Sequence, residues 1–255
     1  MTQIKDILKD LVSYSVPLSF NIVRVTGTDE ATLFEAIDEE RRVIMKATVS
    51  AGAIPEFKGR FGMPNLKVLK GYVDVFSSLE QIDEKTGSNL KIAVQNNFKA
   101  DPLVPTDIQF GVPTSTAVYR LQREAPNQVS MKNEPIWDAE VIQPARSKIN
   151  EFSSFASILS EVGEKNFSIK TVGSLLKFYI GDESGSTSKV NFVFSDGVKS
   201  KVDPQLHWRC SDFLTIMNLA ANANTTVRFS NLGVIQIVVD TGVITYDFKL
   251  PGARA

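Results

Sequence analysis

The sequence predicts an α+β chain built from two tandem copies of one unit, each with two helices packed on antiparallel sheets. Three observations predict it. Four segments carry apolar residues at three- and four-residue steps, and the runs between them alternate apolar and polar residues. The helical segments centre near Leu8, Leu69, Phe155 and Ile216, so each half holds two helices 61 residues apart. The order helix, strands, helix, strands therefore occurs twice in 255 residues, as an internal duplication would produce it. Alternation along the strands places helices on one sheet face and solvent on the other.

The first helix is expected over residues 2–14, with Ile4, Ile7, Leu8, Leu11 and Val12 on one face. Lys5 and Lys9 share a flank, and Asp6 and Asp10 form the next strip round. Residues 19–27, 31–38 and 41–49 read as strands, separated by Thr28-Asp29-Glu30 and Asp38-Glu39-Glu40. A loop containing Gly52, Pro55 and Gly59 leads to Pro64, expected as the first residue of the second helix because its fixed φ suits that position. That helix turns Leu66, Leu69, Tyr72, Val73 and Phe76 inward and Lys67, Lys70 and Asp74 outward. Strands follow at 88–97, 106–112 and 116–124. The polar, proline-bracketed stretch 125–135 reads as a connector, which gives domains 1–124 and 136–255.

The second half opens with a strand at 136–145 and a helix with Ser147 as its N-cap. Ile149, Phe152, Phe155, Ala156, Leu159 and Val162 are expected on the core face, and Gly163 as the left-handed residue that stops the helix. Strands around 166–172 and 175–180 are split by Val172-Gly173-Ser174, a tight turn. After a flexible hairpin tip come the strand 190–196 and a helix from Ser211 to about Asn222. Its residues Phe213, Ile216, Met217 and Ala220 face in; Thr215, Asn218 and Asn222 face out. Strands at 225–231, 234–240 and 243–250 close the chain.

Composition narrows the function. A net charge of −1 gives no global attraction to polyanions, so nucleic-acid binding would need local segregation of charge. No apolar run approaches the length of a membrane span, the N-terminus carries no signal-peptide pattern, and one cysteine excludes an internal disulfide and fits a reducing cytoplasm. His207 and Cys210 are too few for a zinc site, and a buried structural pair is favoured over a nucleophile. Gly181-Asp-Glu-Ser-Gly-Ser-Thr-Ser-Lys lacks the Gly-Lys-Ser/Thr step of a phosphate loop, and Asp38, Glu39 and Glu40 beside Arg41 and Arg42 read as a solvated turn. Nothing here reads as an enzyme. The outer face of the third helix, Asn150, Ser153, Ser154, Ser157 and Glu161, is short, polar and nearly uncharged. It is either a plain solvated face or one that lies close to something large and hydrated.

The passages DAEVIQPARSKINEFSSFASILSEVGEKNFSIKTVGSLLKFYIGD and VITYDFKLPG, with FGMPNLKVLKGYVDVF at the second helix of the first domain, resemble the DNA sliding clamps. The likeness is to clamps of T-even-type bacteriophages and, more distantly, to proliferating cell nuclear antigen. It covers nearly the whole chain. The resemblance implies a closed ring of six domains, hence a homotrimer, that encircles duplex DNA without reading its sequence. It further implies a replicative DNA polymerase and a clamp-loader ATPase as partners, no cofactor, no membrane, and residence in the cytoplasm, that of the host if the origin is a phage. DNA-facing positions would be Lys5, Lys9, Lys67, Lys70, Arg146, Lys148, Asn150, Ser153, Ser157 and Asn218. A pocket for a partner's hydrophobic peptide would involve Tyr246, Phe248, Leu250 and Pro251. Strands 190–196 and 116–124 would meet across subunits. One departure stands out: the family lines its hole with lysine and arginine from all four helices, whereas the second half here offers serine, threonine and asparagine. A particle-assembly protein of duplicated β-rich domains is the alternative the sequence leaves open.

Overall fold

A computed structural model describes residues 4–83, 87–96, 104–123, 134–181 and 188–254. The chain forms two compact units. One comprises the described residues of Met1–Glu39, Met45–Val129 and Gly242–Thr245; the other those of Glu40–Ile44, Ser130–Thr241 and Tyr246–Ala255. The expected break after residue 124, and nearly all of the connector 125–135, lie outside the described residues, as does most of the hairpin tip after Gly181.

The first half runs α1 (Ile4–Ser15), β1 (Ile22–Gly27), β2 (Thr32–Ile37), β3 (Ile44–Val49), β4 (Gly59–Pro64), α2 (Leu66–Leu79), β5 (Ile82–Asp83), β6 (Gly87–Ser88), β7 (Lys91–Asn96), β8 (Pro105–Val112) and β9 (Ser115–Arg120). The second runs β10 (Ala139–Ile142), α3 (Arg146–Ser160), β11 (Asn166–Val172), β12 (Leu175–Ile180), β13 (Val190–Ser195), β14 (Trp208–Arg209), α4 (Cys210–Leu219), β15 (Asn224–Ser230), β16 (Val234–Asp240) and β17 (Ile244–Pro251). Strand order β3-β2-β1-β4 in the first half recurs as β13-β12-β11-β14 in the second. The repeat also keeps step along the chain: β1 to β11 (Ile22 to Asn166) and α2 to α4 (Leu66 to Cys210) are both 144 residues. The strands β7-β8-β9 correspond to β15-β16-β17, but in the second half β10 lies outside β15. The hairpin β5-β6 is an insertion peculiar to the first half.

In the first unit, α1 packs on α2 through Leu8, Leu11 and Leu69, all wholly buried, and Phe76 of α2 meets Phe110 of β8 at 5.7 Å between ring centres. β4 was not expected. Its two glycines, Gly59 and Gly62, hide the alternation, and only pairing with β1, Val25 opposite Phe61 and Val23 opposite Met63, makes it a strand. Pro64 accordingly ends β4 instead of starting the helix. Asn65, left-handed at φ 52°, is the residue from which α2 begins, a conformation that asparagine tolerates. Gly27 has to be glycine, because a Cβ there would overlap the carbonyl of Phe57.

In the second unit the two helices are fixed to the β11-β12 hairpin by a cluster of phenylalanines. Phe152 of α3 sits 5.0 Å from Phe167 and 5.4 Å from Phe178, and Phe213 of α4 is 5.6 Å from Phe178, which also stacks on Phe194 at 4.2 Å. Edge-to-face and offset pairs of this kind add about 0.5–1.5 kcal/mol each to the area they bury. Ser147 does not cap α3. The chain leaves β10 held by Gln143, so the cap falls at Ala145, whose carbonyl takes the amides of Lys148 (2.9 Å) and Ile149 (3.3 Å), and Ser147 lies in the first turn. Val162 is 55% exposed instead of buried. The helix has ended before it: Gly163 takes φ 90°, and the amide of Glu164 bonds the Leu159 carbonyl at 3.0 Å across the turn.

Candidate nucleic-acid interface

Each unit presents the outer face of a helix pair, and the two faces differ in chemistry. In the first unit Lys9 and Lys67 are exposed and make no ion pair among the described residues. Lys5 is held by Glu80 at 2.7 Å, and Lys70 by Asp74 one helical turn on. The four lysines grouped from sequence thus separate into two available cations and two engaged ones. The partner of Lys5 is 75 residues away in sequence, beyond any local pattern. Lys5 first, and the hydroxyl of Ser88 second, hold the Glu80 carboxyl below its usual pKa.

In the second unit Asn150, Ser154 and Ser157 are exposed, and Ser153 is half-buried. Ser154 Oγ donates back to the Asn150 carbonyl at 3.0 Å, and Ser160 Oγ to that of Ser157 at 2.7 Å, so part of this polar face is satisfied by its own helix. Arg146, at the start of α3, donates to Asn218 Oδ1 (3.0 Å) and the Met217 carbonyl (3.4 Å) near the end of α4. A cation there complements the negative end of that helix. Lys148 is paired with Glu151 at 2.8 Å. The serine-rich face therefore carries little free positive charge.

The last strand differs from expectation in what it exposes. Tyr246, Phe248 and Leu250 are at most 1% exposed, with the two rings stacked at 5.6 Å, so they finish the core; only Pro251 of the four expected pocket residues is half-buried. Lys249 is buried too and is neutralised by Glu134 and, at 3.6 Å, Asp247, as a buried cation must be. Beyond it a cavity of about 600 Å³ is lined by His207, Trp208, Leu250, Pro251, Ala253 and Arg254, among others. Trp208 Nε1 donates to the Leu250 carbonyl at 2.9 Å, His207 and Ala253 exchange backbone bonds of 2.9 Å, and Gly252 fits so closely that a Cβ would stand 2.9 Å from the Trp208 ring. Trp208 is the residue that the sequence did not single out, and His207, read there as a structural partner of Cys210, lines the cavity; a tryptophan two residues ahead of a helix was the available signal.

Burial pushes the Cys210 thiol up to about 12, far from a reactive thiolate. Among the described residues no three His, Cys, Asp or Glu side chains are placed to hold a metal ion, and no helix is long and apolar enough to cross a membrane.

Two tandem units, each carrying a helix pair on antiparallel strands in one repeated order, define the sliding-clamp fold, and this chain has it. No family model and no curated protein matches the sequence. Solved structures match nearly all of it. A structure of A. fulgidus PCNA with the C-terminal region of FEN-1 bound is similar at TM-score 0.69 and 9% identity, covering 98% of this chain and 96% of that one. PCNA from Thermococcus kodakaraensis is similar at TM-score 0.67 and 10% identity, covering 98% of each chain. At such identity the likeness establishes the fold.

Proposed function

We propose that the chain is a DNA sliding clamp, a ring that encircles duplex DNA and tethers a replicative polymerase. The observation that carries the proposal is whole-chain agreement with PCNA structures, joined to a strand order repeated between the two halves. Topology, not affinity, would hold the DNA, so two available lysines and a neutral hydrated face per chain are enough to favour a duplex without fixing register. The domains in this reading are 1–124 and 136–255, and the partners are the duplex, the polymerase and a clamp-loading ATPase. A cytoplasmic phage setting belongs to the same reading.

Ring closure calls for complementary open edges. β9 ends one sheet and β13 another. α2, which packs on β9, leaves Val75 and Leu79 exposed; α3, which packs on β13, leaves Ile158 exposed, and Val162 is exposed in the turn that follows it. Pairing β9 of one copy with β13 of the next would bury both stripes, and a heterologous contact of this kind closes into a ring. Three two-domain copies make six domains. The partner-peptide site in this reading is the cavity beside Trp208, lined by Leu250 and Pro251, while Tyr246 and Phe248 of the same strand are buried in the core.

Native mass measurement tests the reading. Three copies of the 28.1 kDa chain give about 84 kDa, and Val118→Asp with Leu79→Asp should reduce that species to monomer. A monomer of the unmodified chain at micromolar concentration, or open-ended polymers, would count against it.

A further inference from the structure

Among the described residues the first unit leaves open a position that the second unit fills. In the second unit β10 covers the outer edge of β15, with Ala139 opposite Phe229 and Val141 opposite Val227, all four buried. Between them Glu140 stands opposite Arg228 and pairs with it at 2.5 Å. β7 is the counterpart of β15, and no described strand pairs with its outer edge; the counterpart of β10 would fall ahead of α1, outside the described residues. The inward side chains register the difference. Ile92 and Val94 are only half-buried, whereas Val227 and Phe229 are 0% exposed.

Beside the start of β7 lies a groove of about 740 Å³, lined by Ile4 and Ile7 of α1, by Ile54 and Pro55, and by Leu90 and Ile92. In the second unit the same place, between the helix start and the first residues of the strand, is occupied by the passage from β10 to α3. There Gln143 accepts from the Thr225 amide (2.8 Å) and donates to the Ala223 carbonyl (3.2 Å). Lys91, which also borders the groove, is exposed and makes no ion pair among the described residues.

We propose that β7 accepts an extended segment of a partner protein as an added antiparallel strand. Small apolar side chains at alternate positions enter the groove, and a carboxylate between them meets Lys91 as Glu140 meets Arg228. Main-chain bonds to an open edge supply affinity in such additions, and alternate side chains supply selectivity. The chain's own β10 is the template for that segment. The proposed ring engages β9 and β13 and leaves β7 free, so this site is independent of ring formation.

The probe is a fluorescent peptide of residues 137–144, Trp-Asp-Ala-Glu-Val-Ile-Gln-Pro, titrated into the full chain. Saturable binding is expected, lost when alternate peptide amides are N-methylated, with slowed hydrogen exchange at those residues of 91–96 whose amides point away from β8. Lys91→Glu should weaken it about three- to fivefold, a peptide carrying Glu140→Lys should recover the loss, and Arg228→Glu in the chain should change nothing. Absence of saturable binding, indifference to N-methylation, or protection in the free chain of the amides of 91–96 that point away from β8 would overturn the proposal; the last result would mean that the chain itself or a second copy covers the edge.

Discussion

Reversing two lysines, Lys9→Glu together with Lys67→Glu, tests the electrostatic part of the clamp reading. Both side chains are exposed and unpaired among the described residues, so their loss orphans no carboxylate. Lys5 and Lys70 are unsuitable, because a glutamate at either place would face Glu80 or Asp74 and disturb the fold. Each lysine that neutralises a phosphate adds about 0.9 to the slope of log affinity against log salt, so the pair contributes about 1.8 per chain. Between about 50 and 200 mM salt the unmodified chain should then weaken about tenfold more than the variant. Anisotropy of a short labelled duplex at four salt concentrations measures the slopes. Ser153→Ala with Ser157→Ala is the matched control and should keep the unmodified slope. Equal slopes for the lysine and serine variants, with melting temperatures unchanged, would refute the reasoning.

Two predictions concern how the fold is held. Trp208→Phe removes the indole donor from the buried Leu250 carbonyl and should cost about 1–3 kcal/mol; an unchanged urea midpoint would mean that the His207–Ala253 pair alone secures the chain end. Glu80, whose folded pKa lies below the usual 4.5, contributes stability that is present above that value and lost as pH falls through the folded one. Glu80→Gln should therefore flatten the acid side of the stability profile below about pH 4.5, and superimposable acid limbs would contradict the pairing with Lys5.

Much of this fold is legible in the sequence because its helices and strands obey clean periods. The four helices, the turn at Gly173-Ser174 and the duplicated order all follow from spacing. What escaped was set by distant pairing. β4 becomes a strand only against β1, and Pro64 then falls at a strand end. Lys5 loses its availability to a residue beyond α2, and Arg146 to the far end of α4. Tyr246 to Leu250 alternates like a half-exposed strand, yet even Lys249 is buried, so apolar residues near the chain end did not mark an exposed pocket. The open edge of β7 has no local signature at all. It is visible only once the two halves are set in register.

The central claim is that DNA is held by encirclement. Labelled chain loaded by a clamp-loading ATPase and ATP onto nicked circular DNA should co-migrate with the circle in high salt and be lost when one restriction cut linearises it. Retention on the linear product, or loss from the circle at the same rate, would contradict it.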